Sequence, residues 1–383
     1  MAERKHLTLL YNFDETWIGG TYYVLNIIKA LNSLSDNGVK PKITIIHQYK
    51  IGLDAIKAIN YPYIEFLETN IKLSFLKKII NIISDLFFYR GLFEIKLPLE
   101  KIDFVYPFAT HINTNNIKSA YYWIPDFQDR YLPHFFRVFE CTLRHWNRLL
   151  MIRKGYPIIF SSSTALADFK MFYPRAKNKT EIISFVSIIG DQYKTVDFFA
   201  LKIKYNLPQL YFISPNQFWR HKNQVIVLQA IDILKRNGIE LKVIFTGKEY
   251  DNRNPEYFTM LQNFVEEKDI DSSVSFLGFI DRDEQLQIMN NAVCIIQPSL
   301  FEGWSTVVED AKALNKYILV SDIPLHREQI INNCSFFNPK DPDDLANKML
   351  SCLCNMKDVV SHNYNSNIHK FAMEIINLIS NKT

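Results

Sequence analysis

Four loops hold the residue types that chemistry would need. In PSLFEGWSTVVEDAKALNK, residues 298–316, a strand ends at Pro298. A short loop carries Glu302, Gly303 and Trp304, and a helix opens near Ser305 or Thr306. Ser305 suits the N-cap position, where its hydroxyl accepts a first-turn N–H. The remaining N–H groups and a dipole end of roughly half a positive charge suit a diphosphate. Glu302 in the loop, and Glu309 and Asp310 on or just past the first helical turn, would repel phosphate. They are suited to accept hydrogen bonds from sugar or ribose hydroxyls. A solvated acidic helix start, favourable with the dipole, accounts for the same residues equally well.

The second loop is NQFWRHKNQ, residues 216–224. Arg220, His221 and Lys222 cluster there beside the amides Asn216, Gln217 and Asn223. Arg220 and Lys222 could neutralise a phosphate as the bond to it breaks. A solvated basic turn is the plainer explanation, and Trp219 beside the charges argues against it. In WIGGT, residues 17–21, Gly19 and Gly20 permit close backbone approach to a ligand. The spacing is not that of a dinucleotide fingerprint, and an ordinary turn explains it as well. In IPDFQDRYLPHFF, residues 124–136, Asp126 follows a strand end and is a candidate for hydroxyl contacts. Asp129, Arg130 and His134 read as surface residues.

These loops need elements to hold them. HLTLLYNF is a strand, WIGGT a glycine turn, residues 22–33 a helix and KITIIHQY the next strand. SAYYWIP and YPIIFSSS are short apolar or aromatic runs suited to buried parallel strands. Turn signals around 186–191 separate the halves. The pattern restarts with QLYFISPN, a helix over 222–236, and the strands ELKVIFTGKEY, SVSFLGFI, AVCIIQPSL and KYILVSDIP. Such alternation predicts an α/β protein with two doubly wound parallel sheets. In those sheets ligands bind at the carboxyl ends of strands, where all four loops fall.

A chain of 383 residues is long for one core, so two domains are expected. Hydrophobic residues at 48% and charged residues at 22% exclude a largely disordered chain. A formal charge of +4 excludes a strongly basic nucleic-acid binder. Cys141, Cys294, Cys334, Cys352 and Cys354 are scattered and odd in number, which reads as free thiols in a reducing compartment. The first residues lack the pattern of a signal peptide. The most hydrophobic stretch, residues 71–92, is broken by Lys72, Lys77, Lys78, Asp85 and Arg90, against a spanning helix. A cytoplasmic protein is expected. That stretch reads either as a membrane-facing amphipathic helix or as a buried helix of the first domain.

Taken together, the motifs resemble the retaining glycosyltransferases of the family 4 group. The segment PSLFEGWSTVVEDAKALNKYILVSDIPLHRE is similar to that family's E-x7-E segment and the G-K-P run after it. Glu302 takes the first glutamate position and Asp310 the second, with Glu309 adjacent; Asn315 and Tyr317 replace the usual Gly and Pro. The family's R-x4-K clamp falls on Gln217 and Lys222, with Arg220 as stand-in for the missing arginine. Gly19 and Gly20 match the N-terminal glycine loop, and the FLGFI run, with Phe279 and Ile280, sits where backbone meets the nucleotide base.

The resemblance implies the GT-B fold, with two Rossmann-like domains facing across a cleft. Residues 1–188 would hold the acceptor and 189–360 the nucleotide-sugar, and the helix in 361–383 would return to the first domain. It implies transfer of a hexose with retention, without metal or other cofactor. Lys222, Arg220 and the helix N-terminus would stabilise the leaving diphosphate, and Asp126 and Glu302 would complete the catalytic set. With no residue placed as a covalent nucleophile, a front-face route is expected. The partners implied are a nucleotide-sugar and a saccharide or lipid-linked saccharide of O-antigen or capsule type, with peripheral contact to the inner face of the plasma membrane allowed. A nucleotide-sugar 2-epimerase and a non-catalytic module of the same fold are the alternatives.

Overall fold

The computed structural model describes residues 4–11, 18–36, 38–70, 73–88, 91–355 and 357–380. It divides into two compact units: residues 1–130, 138–188 and 365–383 form the first, and 131–137 with 189–364 form the second.

In the first unit, β1 (His6–Tyr11), β2 (Lys42–His47), β3 (Ile64–Glu68), β4 (Ile102–Tyr106) and β5 (Ile117–Ala120) form a parallel sheet in the order β3-β2-β1-β4-β5. A second parallel sheet joins β6 (Tyr122–Ile124), β7 (Ile158–Phe160) and β8 (Thr180–Ile182). Ile43, Ile45 and Ile46 on β2 are all fully buried, because a parallel strand is covered on both faces. The final helix, Asn365–Ser380, packs on the helix Ile18–Ser33. There the Tyr23 ring meets Phe371 and stacks on Trp123 at 4.2 Å between centroids.

Two expectations change here. SAYYWIP is two strands in two sheets. Tyr121 donates its N–H to Val105, whereas Tyr122 donates to Pro157, so the chain leaves one sheet for the other across a single peptide. Each ring has its own aromatic partner, Phe104 for Tyr121 and Phe108 for Tyr122. The first helix begins at Ile18 instead of residue 22 and takes Gly19 and Gly20 into its first turn. Buried Leu25, Ile27, Ile28 and Leu31 farther along hold it against the sheet, and such tertiary packing outweighs a glycine's poor propensity. Trp17 and the rest of the loop after β1 lie outside the described residues.

In the second unit, β9 (Phe212–Pro215), β10 (Val243–Thr246), β11 (Val274–Phe276), β12 (Cys294–Gln297), β13 (Ile318–Ser321) and β14 (Cys334–Phe337) run parallel in the order β11-β10-β9-β12-β13-β14. Alternate residues feed opposite faces. Phe212, Val243, Phe245, Cys294 and Leu319 pack with the helices Gln224–Arg236 and Pro342–Cys354. Ile213, Ile244, Ile295 and Val320 pack with the helices Arg282–Asn291 and Thr306–Ala313. β10 and β12 flank β9 on opposite sides, so the strand order reverses at the carboxyl end of β9. That is the place where an open sheet splays to admit a ligand.

Candidate functional site

At that reversal the loop after β9 is anchored at its middle and its end. Phe218 is fully buried among Phe245, Phe258 and Phe276. Residues Arg220–Lys222 make one 3-10 turn, and Asn223, in the left-handed region at φ 59°, starts the next helix. The Asn223 amide donates to the carbonyls of Pro298 and Pro339 at 3.1 and 3.0 Å. Leu300 donates its N–H to the carbonyl of His221 at 2.8 Å. These bonds tie the loop after β9 to the loop after β12.

The result is a close pair. Lys222 Nζ stands 2.6 Å from Glu302 Oε1, with the two side chains 16% and 8% exposed. Gln297 Nε2 and Ser299 Oγ donate to the same oxygen at 2.8 and 2.6 Å. Three donors thus converge on Oε1, whereas Oε2 has no hydrogen-bond partner among the described residues. Ser321 Oγ donates to the carbonyl of Ser299, and His326 Nδ1 lies 2.9 Å from the carbonyl of Ser321. Burial lowers the His326 pKa, with the Glu302 and Lys222 charges also bearing on it. His221, equally buried, is pushed well below the ordinary imidazole value by burial and by the charges of Lys222 and Arg253. Both rings are therefore neutral at pH 7.

Around this pair lie buried polar atoms without a partner among the described residues: Ser214 Oγ, Asn216 Nδ2, Thr246 Oγ1, Gln297 Oε1 and His326 Nε2. Ser214, Thr246 and Gln297 are on the adjacent strands β9, β10 and β12, and His326 follows β13. Each such atom costs about 1–3 kcal/mol if left dry, so this edge of the sheet suits a polar guest. Gly247 closes it on one side. Its φ is +137°, and a Cβ there would meet the Asn216 carbonyl oxygen at 2.3 Å. Gly247 donates its N–H to Gly278, which is followed by exposed Phe279 and buried Ile280.

Ser305 caps the helix Thr306–Ala313, accepting from the N–H of Val308. Gln329 brackets it, accepting from Ser305 N–H at 3.1 Å and donating to its carbonyl at 2.8 Å. Gly303, Trp304 and Thr306 are partly exposed beside it. A solvated acidic helix start does not describe Glu309 and Asp310, which are 1% and 2% exposed. Glu309 accepts from Lys312 and Gln329 on one oxygen and from the Tyr364 hydroxyl on the other. Arg282 grips both oxygens of Asp310, at 2.8 and 2.5 Å.

Arg220 points its guanidinium to the Phe135 ring, 5.2 Å away, while its N–H bonds Asp251. Gln217 is held through its carbonyl by Gln224. Gly19, Gly20 and Asp126 belong to the first unit. Asp126 accepts the N–H of Gln128 at 3.0 Å, at the start of the short helix Gln128–Tyr131, and burial raises its carboxyl pKa. Asp129 is not a surface residue; it is buried in a two-bonded pair with Arg148, whose guanidinium lies over Phe127. Arg130 is exposed and bonds His145, and exposed His134 rests against Phe135. Gln297, Ser299, Arg282, His326 and Gln329 were not singled out from sequence. The first two sit at the same strand end as Glu302, and position alone could have flagged them.

Residues 197–370 match the family model for glycosyl transferases group 1. This stretch contains every second-unit residue described above except the segment 131–137. The O-antigen chain mannosyltransferase RfbU of Salmonella typhimurium is 27% identical over 156 residues, which is 41% of this chain and 41% of RfbU. The chain therefore spans about two fifths of that relative's length. Among solved structures, Alr3699/HepE of Anabaena with UDP and glucose superposes with a TM-score of 0.65 at 14% identity, covering 98% of this chain and 97% of that one. WaaG, a glycosyltransferase involved in lipopolysaccharide biosynthesis, superposes with a TM-score of 0.60 at 12% identity, covering 98% and 99%. The fold is that of the GT-B glycosyltransferases, with two Rossmann-like units.

Proposed function

We propose that this chain transfers a hexose from a nucleoside-diphosphate sugar to an acceptor hydroxyl, with retention of anomeric configuration, in surface polysaccharide synthesis. The observation that carries the reading is the Lys222–Glu302 pair at the reversal of the second sheet. A cation for the leaving phosphate and a carboxylate oxygen for a sugar hydroxyl stand side by side. The capped helix N-terminus at Ser305 follows three residues on. On this reading side-chain and helix-end charge, without a metal, receives the diphosphate. The anomeric carbon–oxygen bond breaks with its electrons going to phosphate, and the acceptor oxygen bonds on the same face. Its proton passes to a phosphate oxygen, so no covalent nucleophile is used.

The acceptor is proposed to be a lipid-linked saccharide, and the helix Phe75–Phe88 supports this. No helix among the described residues is long and apolar enough to cross a membrane. This helix, however, presents Phe75, Leu76, Ile83 and Phe87 to solvent and buries Asn81, Ser84 and Asp85. Burial raises the Asp85 pKa, and the Asn81 amide both donates to and accepts from the Phe93 backbone. Exposed Val138 and Phe139 extend the apolar face, with Lys77 and Lys78 beside it. An apolar face flanked by lysines fits an anionic bilayer surface.

The test of the function is thermal stabilisation by UDP, GDP, ADP, CDP and dTDP, each in EDTA and in magnesium. One diphosphate at a hundredfold excess over Kd should add about 2.7 kcal/mol, and its sugar should be turned over only with acceptor present. No stabilisation by any of the five would overturn the donor site. Donor turnover without acceptor would favour the epimerase.

A further inference from the structure

We infer that Arg253 is the second cation of the anion site at Lys222, and that it binds the diphosphate of the donor. The inference rests on the nucleotide-sugar reading of that site, and it replaces Arg220 in the role expected from sequence. Arg253 lies in the loop after β10, at the same sheet edge as the loops that carry Lys222 and Glu302. Its guanidinium carbon is 4.6 Å from the centroid of Phe136 and 5.5 Å from that of Trp219. Two aromatic faces thus fix the plane of the charge.

Asp251 pairs with it in charge but takes none of its side-chain hydrogen-bond donors. That buried carboxylate accepts from the N–H groups of Arg220 and Arg253 and from the Asn254 amide. Its closest approach to the Arg253 guanidinium is 3.6 Å, to Nε, which is too long for a hydrogen bond. Asp251 pins two loops through their backbones and leaves the Arg253 side chain without a hydrogen-bonded partner among the described residues. The Arg253 side chain is only 15% exposed. Guanidinium N–H donors so far from water and unspent are costly until an acceptor meets them, which a phosphate oxygen would do.

Position agrees. The cationic charges that bear on the buried His221 ring are those of Lys222 and Arg253. Arg220, the sequence neighbour of His221, is exposed and lies over Phe135. Gln217, on the same loop as Lys222, carries no charge, so Arg253 supplies the second cation from another strand end.

The shared chemistry is a pair of phosphoryl groups, which a donor nucleotide and a lipid-linked acceptor both offer. Calorimetric titration of the full chain with the nucleoside diphosphate that stabilises it, and separately with a short polyprenyl diphosphate, distinguishes them. Arg253→Ala should weaken the nucleotide about 10- to 100-fold. Arg253→Met, which keeps the apolar stem against Phe136 and Trp219, should do the same with an unchanged ligand-free melting temperature. Arg253→Lys should recover only part, because an ammonium cannot lie flat between the rings. Arg220→Ala should stay within about threefold of wild type, below the loss of one charged hydrogen bond. Arg253→Met binding nucleotide as wild type does, or losing only the polyprenyl diphosphate, overturns the inference, as does an equal loss in Arg220→Ala. Wild type binding no nucleotide instead removes the donor reading on which the inference stands, a result independent of any Arg253 variant.

Discussion

Lys222 and Glu302 are 80 positions apart in sequence, and their charged atoms are 2.6 Å apart in the structure. Both side chains are largely withdrawn from water, and their charges offset one another. Gln297 and Ser299 hold Glu302 in place even without the lysine. Removing Lys222 should therefore strip the cation proposed to meet the phosphate and leave the loop standing. We expect Lys222→Ala to lower kcat/KM by about 100- to 1000-fold and to abolish thermal stabilisation by nucleoside diphosphate. Steady-state kinetics with the identified donor checks this. Near-normal kcat/KM would show that the lysine is structural only.

Asp310 and Arg282 form a two-bonded pair in which the carboxylate is buried and the guanidinium is a third exposed. Removing one member takes two charge-assisted hydrogen bonds from the buried carboxylate, a loss of about 1.5–3 kcal/mol. Asp310→Ala and Arg282→Ala should each destabilise by about that amount in urea, and the double variant by less than their sum. Additive losses would mean that the two residues act separately.

Gly247 admits no side chain. Its φ of +137° disfavours any L residue, and a Cβ would press on the Asn216 carbonyl. Gly247→Ala should displace the loop that precedes Lys222 and cost about 1–3 kcal/mol. Nucleotide affinity should fall with it. Gly238→Ala, at a left-handed glycine with open space around its Cβ position, controls for backbone strain alone and should leave affinity unchanged.

His221 and His326 are neutral inside the fold because burial lowers their pKa values. Unfolding returns each to the ordinary value near 6.5, so the unfolded state takes up protons first as pH falls. Their contribution is present above pH 6.5 and is lost below it, at up to about 1.4 kcal/mol per pH unit for each ring. Urea midpoints should therefore fall between pH 6.5 and 5. His326→Asn should flatten that slope; an unchanged slope would show that this ring does not titrate on unfolding.

The outward apolar face of the helix Phe75–Phe88 should bind anionic phospholipid vesicles. Reversing Lys77 and Lys78 to Glu should weaken sedimentation with such vesicles by at least about tenfold at low salt, since each basic residue near the surface contributes about 1 kcal/mol. Phe75→Ser with Phe87→Ser should weaken it at high salt too. Vesicle binding untouched by both pairs would remove the membrane from the proposal.

Much of the fold was legible because parallel strands covered on both faces read as unbroken apolar runs. KITIIHQY and AVCIIQPSL needed no more than that. Lys222 and Glu302 were legible because they stand in polar loops at strand ends. The two-sheet division of SAYYWIP was not, since Tyr121 and Tyr122 change sheets with neither glycine nor proline to mark the step. The burial of Glu309 and Asp310 also left no local mark. It is set by Tyr364, Gln329 and Arg282, which lie 55, 20 and 28 positions away. Arg253 carries no local mark either: its setting is made by Phe136 and Trp219 from two distant segments.

The segment 131–137 belongs to the second unit although both its flanks belong to the first. A recombination that trades one unit for its counterpart in a related chain would find its natural joint near residue 188. A hybrid made there would inherit Lys222, Arg253 and Glu302 but receive a foreign stretch in place of Phe135 and Phe136, the rings beneath Arg220 and Arg253. Seven residues of the first half therefore have to travel with the second, which makes the second unit a poor candidate for free shuffling.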